Sequence, residues 1–161
     1  MQKLYFILLG LFFLTQGNAQ LNCKAVKGYA YIIVTIPGNM PVDDNGNPTA
    51  DRLHKERFIY FTTTCKLKPV INTVLYNNTV VKADAQPSYE KSFFATRRTD
   101  QKTLLIKPGK GKYLWKINII ENSSNPIPDK INTISVTGKI ASKPFFVIIK
   151  EEIALKGPDT Y

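Results

Sequence analysis

The stretch Tyr29-Ala30-Tyr31-Ile32-Ile33-Val34-Thr35-Ile36 carries an apolar or β-branched side chain at every position. It is strand length, too short for a sustained amphipathic helix, and greasy on both faces, so it predicts a central strand. The same signature recurs along the chain: short runs rich in Val, Ile, Tyr, Phe and Thr, separated by turn residues. Residues 57–65, 70–76, 79–83, 92–97, 102–107, 112–121, 131–140 and 144–155 all read as strands, the last as one long strand ahead of a loose tail at 157–161. Helical signal is confined to 49–56, one or two turns with Thr49 as cap; nowhere does a 3.6-residue apolar stripe persist. Eight or so strands with almost no helix predict an all-β fold, a single antiparallel β-sandwich.

Turn chemistry sharpens two hairpins. Asn77-Asn78 separates two apolar runs, and asparagine tolerates positive φ better than most residues. Pro108-Gly109-Lys110-Gly111 is expected to join 102–107 to 112–121 as a second hairpin. Within 112–121, Tyr113, Trp115, Ile117 and Ile119 share one face, with Lys116 and Asn118 on the other. That alternation predicts one buried and one wetter side.

The N-terminus has a different grammar. Lys3 precedes an uninterrupted apolar run at 4–14, and Gly17-Asn18-Ala19 then places small residues before a cut. Charge, apolar stretch and small-residue site in that order read as a cleaved secretory signal over 1–19. The run is too short for a membrane helix, since about eleven residues at ~1.5 Å each fall short of a hydrocarbon layer ~30 Å thick. Cys23 follows closely, but Asn22 fits a lipidation site badly. The expected mature chain is therefore residues 20–161, one domain, exported to the periplasm, cell surface or medium, with a leader of bacterial character. The sequons at Asn77 and Asn122 matter only in a eukaryotic secretory pathway.

Export gives the two cysteines their meaning. Outside a reducing cytosol, Cys23 and Cys65 are expected to pair, and with only two a single intramolecular bridge exists. Closing that loop removes chain entropy worth about 3–4 kcal/mol in the simple closure model. No CxxC occurs and no histidine lies near either cysteine, so a structural disulfide is favoured over a metal site or reactive thiol.

In strand count and hairpins the chain is similar to immunoglobulin-like sandwiches, in architecture only. The antibody-type pattern places a tryptophan between two cysteines, one in each sheet. Here Trp115 follows both Cys23 and Cys65. The resemblance therefore carries no functional residue across.

Chemistry is sparse. The connection from Pro37 to Lys55 is long for a loop and gathers Asp43, Asp44, Asn45, Asn47, Asp51 and the sole histidine, His54. Asp43, Asp44, Asp51 and His54 are weak candidates for a hard cation, which wants several oxygen ligands. EF-hand spacing fails, because Pro48 stands where glycine is wanted and no bidentate glutamate follows at the required distance. GxSxG, HExxH and phosphate-loop motifs are all missing from the sequence. No catalytic residue and no cofactor is expected.

Charge is the remaining signal. The whole chain carries +10, and losing Lys3 with the leader leaves +9. Lys66 and Lys68, then Arg97, Arg98 and Lys102, then Lys107, Lys110 and Lys112 form three basic groups. Arg97 to Lys112 are weak candidates for anion binding, though the expected hairpins divide them between two poles. With one tryptophan and no RNP-like signature, nucleic acid is not the expected partner. The leading expectation is a non-catalytic binding or adhesion module with a protein or glycan partner at the envelope. Rivals are a small hydrolase or metal-dependent binder using the 37–55 loop, and a binder of anionic polymers.

Overall fold

In the computed structural model, residues 23–35, 43–45, 54–84, 86–120, 126–128 and 130–157 are described. The expected leader, Asp51 and the end of the expected tail lie outside them. Eleven strands and no helix form among the described residues: β1 (Ala25–Thr35), β2 (His54–Thr63), β3 (Val70–Tyr76), β4 (Thr79–Ala83), β5 (Ser88–Glu90), β6 (Phe93–Thr96), β7 (Thr103–Ile106), β8 (Tyr113–Ile120), β9 (Ile134–Ile140), β10 (Lys143–Ile149) and β11 (Glu152–Leu155). The fold is all-β, as the sequence predicts. Among the described residues no helix is long and apolar enough to cross a membrane.

Hydrogen bonding links the strands in the order β10-β9-β3-β4-β8-β2-β1-β11, with β5 also on β8. Ladders are antiparallel except β1 with β11, which run parallel from Ala30↔Glu152 to Ile33↔Leu155. β4 is the corner. It pairs with β3 through its first three residues, Thr79 to Val81, and with β8 through its last two, Lys82↔Ile120 and Ala83↔Ile119. Around that corner the sheet folds back on itself, so that Val74, Tyr76, Val136, Val147 and Ile149 face Ala30, Ile59, Phe61, Trp115 and Ile117 in one core. Two sheet halves packed this way make a sandwich close to a barrel, closed at β4 and unpaired between β1 and β10.

A second core explains why β1 and β2 are apolar on both faces. Tyr31, Phe58, Tyr60, Leu114 and Leu155 point away from the sandwich interior and are buried under the β6–β7 hairpin. Phe93 of that hairpin stacks on Tyr60 with ring centroids 4.5 Å apart and sits 5.1 Å from Tyr31. Without this lid, a row of aromatic side chains would face water, each forfeiting roughly 1.5–3 kcal/mol of burial.

Three expectations need correction. Residues 102–107 and 112–121 do not pair; β7 bonds β6, whereas β8 bonds β2, β4 and β5. The 108–111 segment does turn, with the Lys112 N–H donating to the Gly109 carbonyl at 3.0 Å and Gly111 at φ 71°, but it carries the chain from the lid layer down into the sheet. The run 144–155 is two strands, since β10 bonds β9 and β11 bonds β1 across the molecule. The expected helical turns at 49–56 lie partly outside the described residues, and the remainder, His54 to Glu56, opens β2.

The predicted disulfide joins Cys23 to Cys65, with Cα atoms 5.3 Å apart. It closes the ends of β1 and β2, neighbours in one sheet, just beyond the Ala25↔Thr63 pair. An antibody-type bridge instead spans the two sheets. Trp115 anchors the same corner: its Nε1 donates to Thr63 Oγ1 at 2.9 Å, and that hydroxyl donates to the Cys65 carbonyl at 2.7 Å. Asn77 and Asn78 take φ of 47° and 70° and form the expected hairpin.

Candidate functional site

β10 shows how a strand can serve a core and a surface together. Val147 and Ile149 point inward and are buried, whereas Phe146 and Ile148 point outward and remain 60% and 57% exposed. Where β10 passes β1, the interior contact is held by a glycine. A side chain at Gly28 would come within 2.7 Å of Val147 and 2.9 Å of Ile149. The two strands therefore approach closely without hydrogen-bonding.

Above this seam lies a cleft of about 860 Å³. Its floor and walls come from residues 26–31 of β1 and 146–151 at the end of β10, with Leu104, Leu105 and Ile106 of the lid hairpin opposite. Val26, Leu105, Phe146 and Ile148, four of the most exposed large apolar side chains of the described residues, all line it. Its charged groups are Lys27, Arg97, Lys150 and Glu151. The Lys27 ammonium sits 4.8 Å from the centre of the Tyr29 ring, an attraction of the cation–π kind.

Arg97 is the polar feature of the cleft. It follows β6, fixed by its backbone N–H donating to the Lys102 carbonyl at 2.9 Å and by a bridge to Leu155. Its guanidinium reaches Asp100 through Nη1 at 3.4 Å, at the long limit for a hydrogen bond. The Nε atom is buried and has no hydrogen-bond partner among the described residues. Nearby Tyr31 has its phenol pushed upward, first by burial, then by repulsion from the Tyr29 and Tyr60 phenolates, with Arg97 pulling the other way. Tyr31 is thus a neutral wall at ordinary pH.

Those residues singled out from sequence that are described fall elsewhere, with one exception. Asp43 and Asp44 lie in a turn in which the Asn45 N–H donates to Asp43 Oδ1 at 2.9 Å, and Asp44 is exposed. His54 is exposed at the first position of β2, opposite Thr35, so it belongs to a strand and not to the loop. Asp51 lies outside the described residues. Among the described residues no group of three or more His, Cys, Asp or Glu is placed to hold a metal.

Of the basic candidates, Arg97 lines the cleft. Arg97 and Lys102 also approach Asp100, at 3.4 and 3.7 Å, and the exposed Arg98 donates its N–H to Ala154. Lys107, Lys110 and Lys112 are exposed in the segment leaving the far end of the β6–β7 ladder. Lys66 and Lys68 are exposed as well, with Lys68 donating to Gln86 at 2.7 Å. Sequence reasoning missed the cleft. Its signal was Phe145-Phe146-Val147-Ile148-Ile149, a continuous apolar run that leaves open which face is covered.

Comparison with protein-family models, with curated proteins and with solved structures returns no match.

Proposed function

We propose that the chain is an exported, non-catalytic β-sandwich that acts by binding a protein or glycan partner at the cell envelope or outside it, through the cleft between β1, β10 and the lid hairpin. One observation carries this reading: Val26, Leu105, Phe146 and Ile148 gather on a single concavity. Apolar residues scattered singly over a surface need no explanation, but apolar walls converging on a cleft with a few polar groups describe a binding site. Chemistry within the cleft supports recognition over turnover. Among the described residues its lining offers one carboxylate, Glu151, and no serine, cysteine or histidine. A two-carboxylate hydrolase needs a second acid, and nucleophilic catalysis needs a nucleophile with its base. The disulfide accords with an oxidising compartment.

The test is a binding screen of the purified chain on glycan and peptide arrays, beside the double variant Leu105→Glu/Phe146→Glu. Both positions are more than half exposed, so the variant keeps its fold. The expected result is saturable ligands that the variant binds about tenfold or more weakly, from loss of apolar contact. Three outcomes count against the reading: ligands held equally by the variant, ligands chemically converted on the array, or no ligand of either class.

A further inference from the structure

The cleft is bounded by strand edges, and this identifies the kind of molecule it takes. Its lining includes consecutive residues of β1, from Val26 to Tyr31, and consecutive residues from Phe146 to Glu151. A sheet face contributes every second residue; an edge contributes them all. The turn between β9 and β10 then fixes which backbone groups lie on the open side. Ala141 and Ser142 have φ of 48° and 66°, a two-residue hairpin turn of the primed kind, closed by the pair Ile140↔Lys143. That closing pair exchanges both its hydrogen bonds, and alternation along an antiparallel ladder does the rest. Lys143, Phe145, Val147 and Ile149 direct their N–H and C=O groups at β9, while Pro144, Phe146 and Ile148 direct theirs away.

No strand occupies that side of β10 among the described residues. Proline has no N–H, so Pro144 blunts the first outward position. Phe146 and Ile148 each present a donor and an acceptor. Across the cleft, β11 covers β1 only from Ala30 to Ile33, leaving Ala25 to Tyr29 without a strand on that edge among the described residues. The chain itself thus lays one short strand, β11, along β1 just where the cleft ends.

We propose that the cleft takes an extended polypeptide segment of a partner protein, added as a strand to the free edge of β10, with an acidic side chain of the segment held by Arg97. The proposal rests on the reading of the cleft as a binding site and narrows its occupant. A peptide repeats donors and acceptors at strand spacing and matches the open groups of Phe146 and Ile148, whereas an acyl chain leaves them unpaired. Alternate side chains of the segment lie against Val26, Leu105, Phe146 and Ile148. Charge sets its sign. Lys27, Arg97 and Lys150 line the cleft beside one acid, Glu151, and the Arg97 guanidinium, 35% exposed and only distantly paired with Asp100 at 3.4 Å, has further N–H donors for a carboxylate of the segment.

The test is selection of random dodecapeptides on phage against the purified chain, with Ile148→Ala and Ile148→Pro as paired variants. Alanine keeps the outward N–H and removes the side chain; proline removes the N–H without touching the ladder to β9. Selected peptides are expected to carry an acid and alternating apolar residues, and to bind Ile148→Pro about tenfold more weakly than Ile148→Ala, the worth of one edge hydrogen bond. Arg97→Gln should weaken the acidic peptide but not its glutamine counterpart. Hydrogen exchange on the wild-type chain, which needs no variant to fold, should slow at the Phe146 and Ile148 amides when the peptide is added. Equal binding by the two Ile148 variants, or protection absent from those amides, overturns strand addition. Protection that appears with protein concentration alone assigns the edge to a second copy and also overturns it. If only glycans bind at the cleft, the binding module survives and the strand proposal fails; if nothing binds there, both fail.

Discussion

Gly138→Ala tests whether the β3–β9–β10 packing is as tight as its geometry requires. Gly138 lies on β9 opposite Phe145 on one side and Ile71 on the other, beside a register shift in β3 between Ile71 and Thr73. An added Cβ would overlap the Val70 carbonyl oxygen and come within 2.6–2.7 Å of the Phe145 ring. The oxygen belongs to backbone and cannot rotate aside. The ring is held from behind by Phe61, stacked at 5.6 Å. Overpacking costs about 1–3 kcal/mol, and a backbone obstacle puts this site near the top of that range. Alanine returns roughly 0.4–1 kcal/mol by restricting the unfolded chain, leaving a net loss of about 2 kcal/mol. For a domain of this size that is on the order of 5–10 °C in Tm. Urea unfolding followed by the fluorescence of Trp115, the single tryptophan, should report a lower midpoint at unchanged slope. Gly28→Ala is the comparator, because its obstacles are the movable side-chain ends of Val147 and Ile149, and its loss should be smaller. A Gly138 variant as stable as the parent, or a Gly28 variant more damaged, refutes the reasoning.

Replacing both Cys23 and Cys65 by alanine should lower stability by about 3–4 kcal/mol from loss of the loop constraint, read in the same urea assay, and a loss under ~1 kcal/mol contradicts that account. Arg57 and Glu152 form a 3.1 Å ion pair with side chains only 2% and 6% exposed. Arg57→Met alone should cost about 3–5 kcal/mol by stranding the carboxylate, and Arg57→Met/Glu152→Leu distinctly less; a double variant as unstable as the single counts against it. The Tyr60 phenol is pushed up to about 12, first by burial and then by the Glu90 carboxylate. Since an unfolded tyrosine titrates near ~10, this contribution to stability is intact below that pH and is lost as pH rises through the folded value. Absorbance at alkaline pH should therefore find Tyr60 ionising late, and Tyr60→Phe should remove that step; a normal titration would contradict burial under the lid.

What the sequence made legible was local. Apolarity of β1 on both faces, alternation along β8, the asparagine pair at the β3–β4 turn and the cysteine pair each report a property of a few neighbouring residues. What stayed hidden was partnership. Pro108 to Lys112 reverses the chain as a hairpin would, yet nothing in those residues says that β7 has already spent its ladder on β6. Similarly, Phe58 and Tyr60 on one face of β2 and Ile59 and Phe61 on the other make both faces apolar, without saying that Phe93 and Ile106 cover the first. The acidic loop is a different case: a concentration of ligand-type residues in sequence says nothing of whether the backbone folds them together, Asp51 lies outside the described residues, and His54 opens a strand.

The split of the final apolar run and the existence of the cleft are one fact seen twice. At Lys150-Glu151 the chain leaves one sheet half for the other, which strands the β10 edge on one side and the first half of β1 on the other. Exposed edges are normally blunted by proline and charge. Here Lys143 and Pro144 guard one end and Lys150 and Glu151 the other, while Phe146 and Ile148 between them stay apolar. The interior does not require this, since Val147 and Ile149 serve the core from alternate positions. Phe146→Thr/Ile148→Thr keeps strand propensity and should therefore move stability by no more than about 0.5 kcal/mol while weakening binding at the cleft about tenfold or more. A loss of several kcal/mol would mean that these two side chains serve the fold, and the argument for a partner at this edge would go with them.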